Sequence, residues 1–348
     1  MGDVRLKDVA EHAGVSIKTV SNVVRGEPHV AEATRQRVLR SIKELGYRPN
    51  PAARHLRTGR SGIMALAVPD LVAPYFAELA AAVIAAAKAR SYTVLIEDTG
   101  GDPDEELRIA SGLGSSLIDG VLLSPLDLDQ AALASRPRRV PLVLLGERDY
   151  ELPVDHVLID NVAAAREATA HLLALGHRRV AVIGAQRGTA SATAHQRVRG
   201  YQEALYQAGV PYDPALTSEV AAYRLADGAR AMHALLDLPQ PPQAVFCCND
   251  LLAVGAVRAA ADRGLVVPRD LAVVGFDDVE VTRYSVPSLT TVAPDKAGLA
   301  RLAVDALLRR VGAGAEDGPA VLYAGHRLVV RESSGGGERY EAAGTSAG

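Results

Sequence analysis

Leu6-Lys-Asp-Val-Ala-Glu-His-Ala-Gly-Val-Ser-Ile-Lys-Thr-Val-Ser-Asn-Val-Val24 decides what kind of partner this 348-residue chain has. Leu6, Val9, Ala10 and Ala13 recur at helical spacing, Gly14 breaks the run, and Ser16 offers an N-cap oxygen to a second helix. That is helix, tight turn, helix. In the second helix Ile17, Val20, Val23 and Val24 can face inward, while Lys18, Ser21, Asn22 and Arg25 share the opposite face. A polar stripe with two cations suits the major groove of DNA, where side chains donate to and accept from base edges. Ser16, Ile17 and Thr19 complete the base-reading end; Ile17 offers only apolar contact, for example to a thymine methyl. A third helix, about Glu32 to Leu45, buries Val38, Ile42 and Leu45 and stops at Gly46.

Charge agrees with this assignment. Residues 1–60 hold twelve Lys or Arg against six Asp or Glu, an excess of six, whereas the whole chain is −3 and the remainder therefore −9. Basic residues at the N-terminus can bind phosphates with a steep salt dependence, and an acidic remainder repels nucleic acid.

The next informative stretch is Leu45-Gly-Tyr-Arg-Pro-Asn-Pro-Ala-Ala-Arg-His-Leu-Arg-Thr-Gly59. Asn50 can cap a short helix from Ala52 to Arg57, with Pro51 in its first turn and Gly59 as its end. A helix this short needs a partner and DNA to hold it. Together with the N-terminal helix pair, this stretch resembles the lactose-repressor (LacI/GalR) family of bacterial transcription regulators, and the resemblance runs to about Ser333. It implies that the segment is a hinge helix paired with its two-fold mate in the minor groove, with Leu56 as a wedge between central base pairs, Ala53 permitting close helix approach, and Arg54 and Arg57 flanking. Asn22 stands where many relatives carry a guanine-reading arginine, and asparagine favours adenine geometry. The operator therefore differs from that of better-known relatives. Ala31 likewise replaces the Ser or Thr expected to cap the third helix.

After Gly62 short apolar runs alternate with helix-length segments: Ile63 to Val68, Thr93 to Ile96, Gly120 to Leu123, Pro141 to Leu145, Val180 to Ile183, Ala244 to Cys247 and Leu271 to Phe276. These are buried parallel strands of an α/β layer structure, and some 270 residues are enough for two lobes. The resemblance makes this a periplasmic-binding-protein-like core crossed three times by the chain. The expected organisation is a small all-α helix-turn-helix headpiece (1–47), a hinge helix and linker (48–61) and a two-lobed α/β effector-binding and dimerisation core (62–333). Lobe 1 is placed at about 62–161 and 292–322 and lobe 2 at about 162–291 and 323–333, the latter including a last strand near Arg327 to Val330; a disordered tail (334–348) follows.

Ligands of open α/β sheets bind beyond the carboxyl ends of the strands. Those places hold Asp70 through Phe76, Asp98, Glu147 with Arg148, Asn249 with Asp250, and Asp277 with Asp278; Arg197 and Tyr201 add a helix start, with Thr193 a turn earlier. Carboxylates, amides and a guanidinium beside the rings of Tyr75, Phe76 and Tyr223 suit a sugar, whose hydroxyls donate and accept while its C–H faces pack on rings. By motif position, the resemblance makes Arg197, Asn249 and Asp277 the contacts to effector hydroxyls and Tyr223 the packing ring. Purely structural roles remain open for each: Asn249 as cap of a helix from Asp250 to Asp262, Asp277 and Asp278 as turn residues, Arg197 as partner of a carboxylate. Gly146 stands where many relatives carry an aspartate, so the contact near Glu147 and Arg148 is moved or lost.

No dinucleotide fingerprint, Walker loop or zinc-spaced histidine pair is present, and adjacent carboxylates such as Asp277 and Asp278 cannot straddle a substrate as a hydrolytic pair. Cofactors, metals and enzymatic activity are therefore not expected. Cys247 and Cys248 read as small apolar residues in a reducing compartment, and no signal or membrane-spanning stretch is seen, which points to the cytoplasm. The expected protein is a homodimeric repressor on a pseudo-palindromic operator, governed by a sugar-like effector; the Gly-rich C-terminus carries no tetramerising leucine heptad, and the helix at Tyr75 to Ala89 belongs to the dimer surface. A purine- or nucleoside-responsive regulator, a sugar-binding transport receptor and a sugar-modifying enzyme are the alternatives.

Overall fold

Two glycines set the turns of the N-terminal unit. Gly14 and Gly46 both take φ of 62°, the left-handed region where a β-carbon is strained, and each closes a helix. The computed structural model describes residues 4–24, 27–47, 60–113, 117–136, 140–146, 152–188, 192–312 and 318–335, and the chain divides into two units, Met1–Ser61 and Gly62–Gly348. Helices α1 (Leu6–Ala13), α2 (Ile17–Val24) and α3 (Glu32–Leu45) enclose Val9, Val20 and Val38, all 0 % exposed, with Tyr47 closing the base. Each such side chain stabilises by roughly 1.5–3 kcal/mol. Ser16 Oγ accepts from the Thr19 amide at 3.1 Å, the capping bond that starts α2; Ala31 gives α3 no side-chain cap. Ile17 departs from the helical pattern. It is 50 % exposed rather than core, because the first residue of α2 projects past the small cluster that Val20 and Val23 fill.

The second unit contains two six-stranded sheets. The first comprises β1 (Ile63–Val68), β2 (Thr93–Asp98), β3 (Gly120–Leu123), β4 (Leu142–Leu145), β5 (Asp155–Ile159) and β11 (Val321–Ala324), in the order β11-β5-β4-β3-β1-β2. The second comprises β6 (Val180–Ala185), β7 (Thr217–Glu219), β8 (Ala244–Cys247), β9 (Ala272–Phe276), β10 (Thr290–Pro294) and β12 (His326–Val329), in the order β12-β10-β9-β8-β6-β7. Every pairing is parallel except β10 with β12. The connecting helices are α4 (Pro74–Lys88), α5 (Pro103–Ala110), α6 (Gln130–Ser135), α7 (Asn161–Ala174), α8 (Ala192–Gln207), α9 (Leu225–Leu236), α10 (Asp250–Asp262) and α11 (Lys296–Gly312). Central strands are buried on both faces, which is why β3, β4 and β8 read as unbroken apolar runs.

The chain passes between sheets at Asp160, at Asp295 and at Gly325. The second and third passages lie a few residues beyond the boundaries expected at 291/292 and 322/323. The reason is β10, whose Thr290-Thr-Val-Ala-Pro294 is too polar to stand out as a strand; paired with β9, it stays wholly in the second lobe. Ser334, expected to open the tail, is buried instead: its Oγ lies 2.8 Å from both His171 Nε2 and Thr290 Oγ1. Residues 336–348 lie outside the described residues.

Two glycines hold the second lobe's cleft-forming helices at backbone contact. A β-carbon on Gly255 of α10 would strike the Leu225 carbonyl of α9, and one on Gly228 of α9 would strike the Leu252 carbonyl of α10. By helix propensity alone Gly255→Ala should gain about 1 kcal/mol. The contact reverses the sign: we expect a loss of about 1–3 kcal/mol from overpacking, read as a lower urea midpoint. An unchanged or higher midpoint would refute backbone contact between α9 and α10.

Candidate functional site

Strands of both sheets end at a cleft of about 990 Å³ between the lobes. At its floor Arg197, carried by α8, is 6 % exposed. Its Nε donates to Asn161 Oδ1 at 2.7 Å, another guanidinium nitrogen donates to the Cys248 carbonyl, and a third lies 3.8 Å from Asp277 Oδ1. The guanidinium carbon sits 3.5 Å from the centroid of the Phe276 ring. The structural roles left open by sequence are therefore real here, and they coexist with exposure to the cleft. Asn249 also has two tasks: Oδ1 caps α10 by accepting from the Leu252 amide at 2.9 Å, and Nδ2 donates to the Tyr223 carbonyl at 3.4 Å.

Asp277 takes φ of 113°, in the region that side chains avoid, and its amide is held by the Val292 carbonyl at 2.8 Å. This strained turn separates two neighbouring carboxylates. Asp277 lines the cleft, whereas Asp278 turns to Arg331 at 2.5 Å and Arg283 at 3.1 Å. Burial pushes the Asp278 carboxyl up, but the two guanidinium groups more than offset this and hold it below its ordinary value. Asp250 accepts from Thr291 Oγ1 at 2.6 Å and from the Val279 amide at 2.9 Å. Burial, and then the charge of Asp277, push its carboxyl well up.

The opposing wall comes from lobe 1. Pro74 starts α4 and so presents Tyr75 and Phe76, whose rings meet edge to face at 5.2 Å. Tyr223 faces them from lobe 2, its hydroxyl donating to the Gly184 carbonyl at 2.9 Å. Thr193 lines the cleft from the first turn of α8. Glu147 and Arg148 lie outside the described residues.

Several cleft residues escaped sequence reasoning, among them Arg224, Arg187 and Glu219. Asp70 of lobe 1 pairs with Arg224 of lobe 2 at 2.7 Å across the mouth, and Arg187 pairs with Glu219 at 2.9 Å. Arg187 follows β6, an expected strand, and lay within reach of the strand-end rule; Glu219 closes β7, a strand of only three polar residues, and was out of its reach because β7 was not legible. Glu106 gave no signal at all. Carried in the first turn of α5, it is 0 % exposed and accepts from the Leu126 and Leu128 amides at 2.7 and 2.9 Å, fixing the loop whose Leu126 lines the cleft. Burial pushes its carboxyl up in spite of those bonds.

In the headpiece Ile17 and Lys18 are exposed, Ser21 and Asn22 are half-buried, and Thr19 is engaged with Ser16, hydroxyl to hydroxyl, at 2.8 Å. Arg25, Asn50, Ala53, Arg54, Leu56 and Arg57, proposed DNA contacts, lie outside the described residues. Among the described residues there is no cluster able to hold a metal ion, and no helix is long and apolar enough to cross a membrane.

Residues 5–50 match the model of bacterial regulatory proteins of the lacI family, and residues 169–334 match a periplasmic binding protein-like domain. The chain is similar to the HTH-type transcriptional repressor CytR of Escherichia coli K12, 36 % identical over 89 % of this chain and 92 % of the relative. Among solved structures it is similar to the transcriptional regulator CelR in complex with cellobiose, with 34 % identity, TM-score 0.70 and coverage of 95 % of this chain and 99 % of the other. It is also similar to the Lac repressor dimer bound to operator and the anti-inducer ONPF, with 29 % identity, TM-score 0.80 and coverage of 96 % and 99 %.

Removing one partner of the Arg197–Asp277 pair strands a buried charge. Arg197→Met is expected to cost about 3–5 kcal/mol, and Asp277→Asn on top of it to recover part of that loss. Thermal and urea unfolding of the two single variants and the double variant measure this coupling; strictly additive losses would mean that the pair does not interact.

Proposed function

This chain belongs to the LacI family of bacterial regulatory proteins, and we propose that it represses transcription as a homodimer on a pseudo-palindromic operator and that a sugar-like effector bound between its lobes controls its hold on DNA. Its relatives are transcriptional regulators rather than enzymes, and the cytoplasm is its place of action. The observation that carries the effector reading is Arg197. A single buried guanidinium joins the first interlobe passage at Asn161, the end of β8 at Cys248 and the cleft face at Asp277. A ligand bonded to Arg197 or Asp277 thus acts on the network that holds lobe 2 together beside the first interlobe passage.

The path to DNA begins at Gly62. Its amide donates to Asp119 Oδ2 at 2.9 Å, and β1 follows at once, so the start of the core moves with lobe 1. A rotation of the lobes displaces the two attachment points of a dimer and separates the segments 48–61, the proposed hinge. If, as proposed, the hinge takes its helical form only on DNA, a small displacement removes much of the specific affinity. The dimer surface we propose includes α4, which packs on α11 and leaves Ile84 42 % exposed. Arg25, Asn50, Ala53, Arg54, Leu56 and Arg57 join Ser16, Ile17, Lys18, Thr19, Ser21 and Asn22 as the proposed DNA contacts. Tyr75, Phe76, Glu147, Arg148, Thr193, Arg197, Tyr223, Asn249 and Asp277 are the proposed effector contacts.

An operator selected from a random DNA pool allows the reading to be tested by fluorescence anisotropy at fixed salt. Asn22→Ala is expected to cost about 1–3 kcal/mol on that operator and to relax preference at one base pair per half-site. Leu56→Ala is expected to weaken operator binding far more than non-specific binding. Equal loss on both DNAs would argue against the wedge, and failure to enrich any operator would argue against the function.

A further inference from the structure

We propose that the effector is a saccharide of at least two rings that carries no anionic group; this rests on the effector reading above. Charge decides the first part. Among the described residues the cleft is lined by three cationic side chains, Arg187, Arg197 and Arg224, and each faces a carboxylate: Glu219 at 2.9 Å, Asp277 at 3.8 Å and Asp70 at 2.7 Å. The fourth cleft carboxylate, Asp98, accepts from the Leu71 amide at 3.1 Å and the Gly100 amide at 3.0 Å. Among the described residues a phosphate or carboxylate on the ligand would meet no uncommitted cation and would have to displace an acidic side chain from its partner, leaving that side chain or itself unneutralised. Hydroxyls fit without displacing anything, because a paired carboxylate keeps lone pairs and a paired guanidinium keeps N–H groups for further hydrogen bonds.

Size and layering decide the second part. A cleft of about 990 Å³ lies at the top of the ~300–1,000 Å³ that hold drug-sized ligands, and a single hexose would leave most of it to water. The polar groups fall in two tiers. Arg197 and Asp277, with side chains 7 % and 9 % exposed, form a dry floor; Asp70 with Arg224 and Arg187 with Glu219, with side chains between 24 % and 85 % exposed, form a wet rim. The rings of Tyr75, Phe76 and Tyr223 also line this cleft and supply faces for the C–H surface of a sugar. One ring at the floor and a second at the rim would engage both tiers, and the second would touch the Asp70–Arg224 bridge that spans the lobes.

The test is calorimetry and thermal shift on the full-length dimer with glucose, galactose, ribose, cellobiose, maltose, lactose, trehalose, glucose 6-phosphate, trehalose 6-phosphate, adenosine and cytidine. A neutral disaccharide should bind at least tenfold more tightly than its constituent monosaccharides, and the 6-phosphate of that disaccharide should bind at least tenfold more weakly. In Asp70→Asn, where Arg224 loses its carboxylate, the phosphorylated form should gain at least tenfold relative to the neutral form. A monosaccharide or sugar phosphate binding as tightly as the best disaccharide would overturn the inference and leave the proposed function standing, whereas a nucleoside doing so would overturn the sugar-effector reading as well. Binding by none of these compounds would overturn the sugar-effector reading itself.

Discussion

A guanidinium buried to 6 % exposure must be neutralised and fully hydrogen-bonded, and the second lobe is arranged around meeting that demand for Arg197. The demand draws together pieces far apart in sequence: Asn161 from the first passage between lobes, the Cys248 carbonyl from the end of β8, Asp277 from the end of β9 and the Phe276 ring beneath. Asp277 meets it only by adopting a backbone conformation that costs energy, φ of 113°. The same geometry turns Asp278 away to Arg331, in the last segment of the lobe. Packing and the proposed recognition thus share one network, and an effector bonded to its exposed edge as proposed would compete with the bonds that hold the lobe together.

Helix contacts make the network stiff. Gly228 and Gly255 let α9 and α10 meet backbone to backbone, and Gly200 does the same for α8 against the Val162 carbonyl of α7. These helices begin at or beside Thr193, Arg224, Asn249 and Asn161, so cleft groups are set by rigid elements rather than by loops. Lobe 1 uses a different device. Its wall includes a loop pinned from behind by the buried Glu106, while Asp98 grips the Leu71 and Gly100 amides. The two lobes meet across the cleft mouth through an ion pair that is partly open to water, Asp70 with Arg224, which favours contact without locking it.

Where burial and periodicity coincide, the fold was legible in the sequence. The headpiece helices and the apolar strands announced themselves, because Val9, Val20 and Val38 or the run Val121-Leu-Leu123 can sit only in a core. Elements that owe their position to neighbours did not. β7 is Thr-Ser-Glu, β10 begins with two threonines that are buried because they serve Asp250 and Ser334, and β5 opens on Asp155, which is neutralised by Arg310 at 2.7 Å. At the cleft, strand ends led to Asp70, Asp98, Asn249 and Asp277, and motif position led to Arg197 and Tyr223. Missing were the partners supplied from across the molecule: Arg224 for Asp70, Glu219 for Arg187, and Glu106 behind its loop. Nothing local in a sequence distinguishes a solvated glutamate from one that accepts two buried amides.

The central claim is a coupling between the cleft and the operator, and coupling is reciprocal. The most direct measurement is a thermodynamic square: the operator Kd of the full-length dimer with and without saturating effector, and the effector Kd of the free and the operator-saturated dimer, all at one salt concentration. The two ratios are expected to agree and to differ from one by about 5–150-fold, the range of ordinary allosteric coupling. An effector that binds in the cleft with the same affinity whether or not operator is bound, and leaves operator affinity unchanged, would contradict the claim.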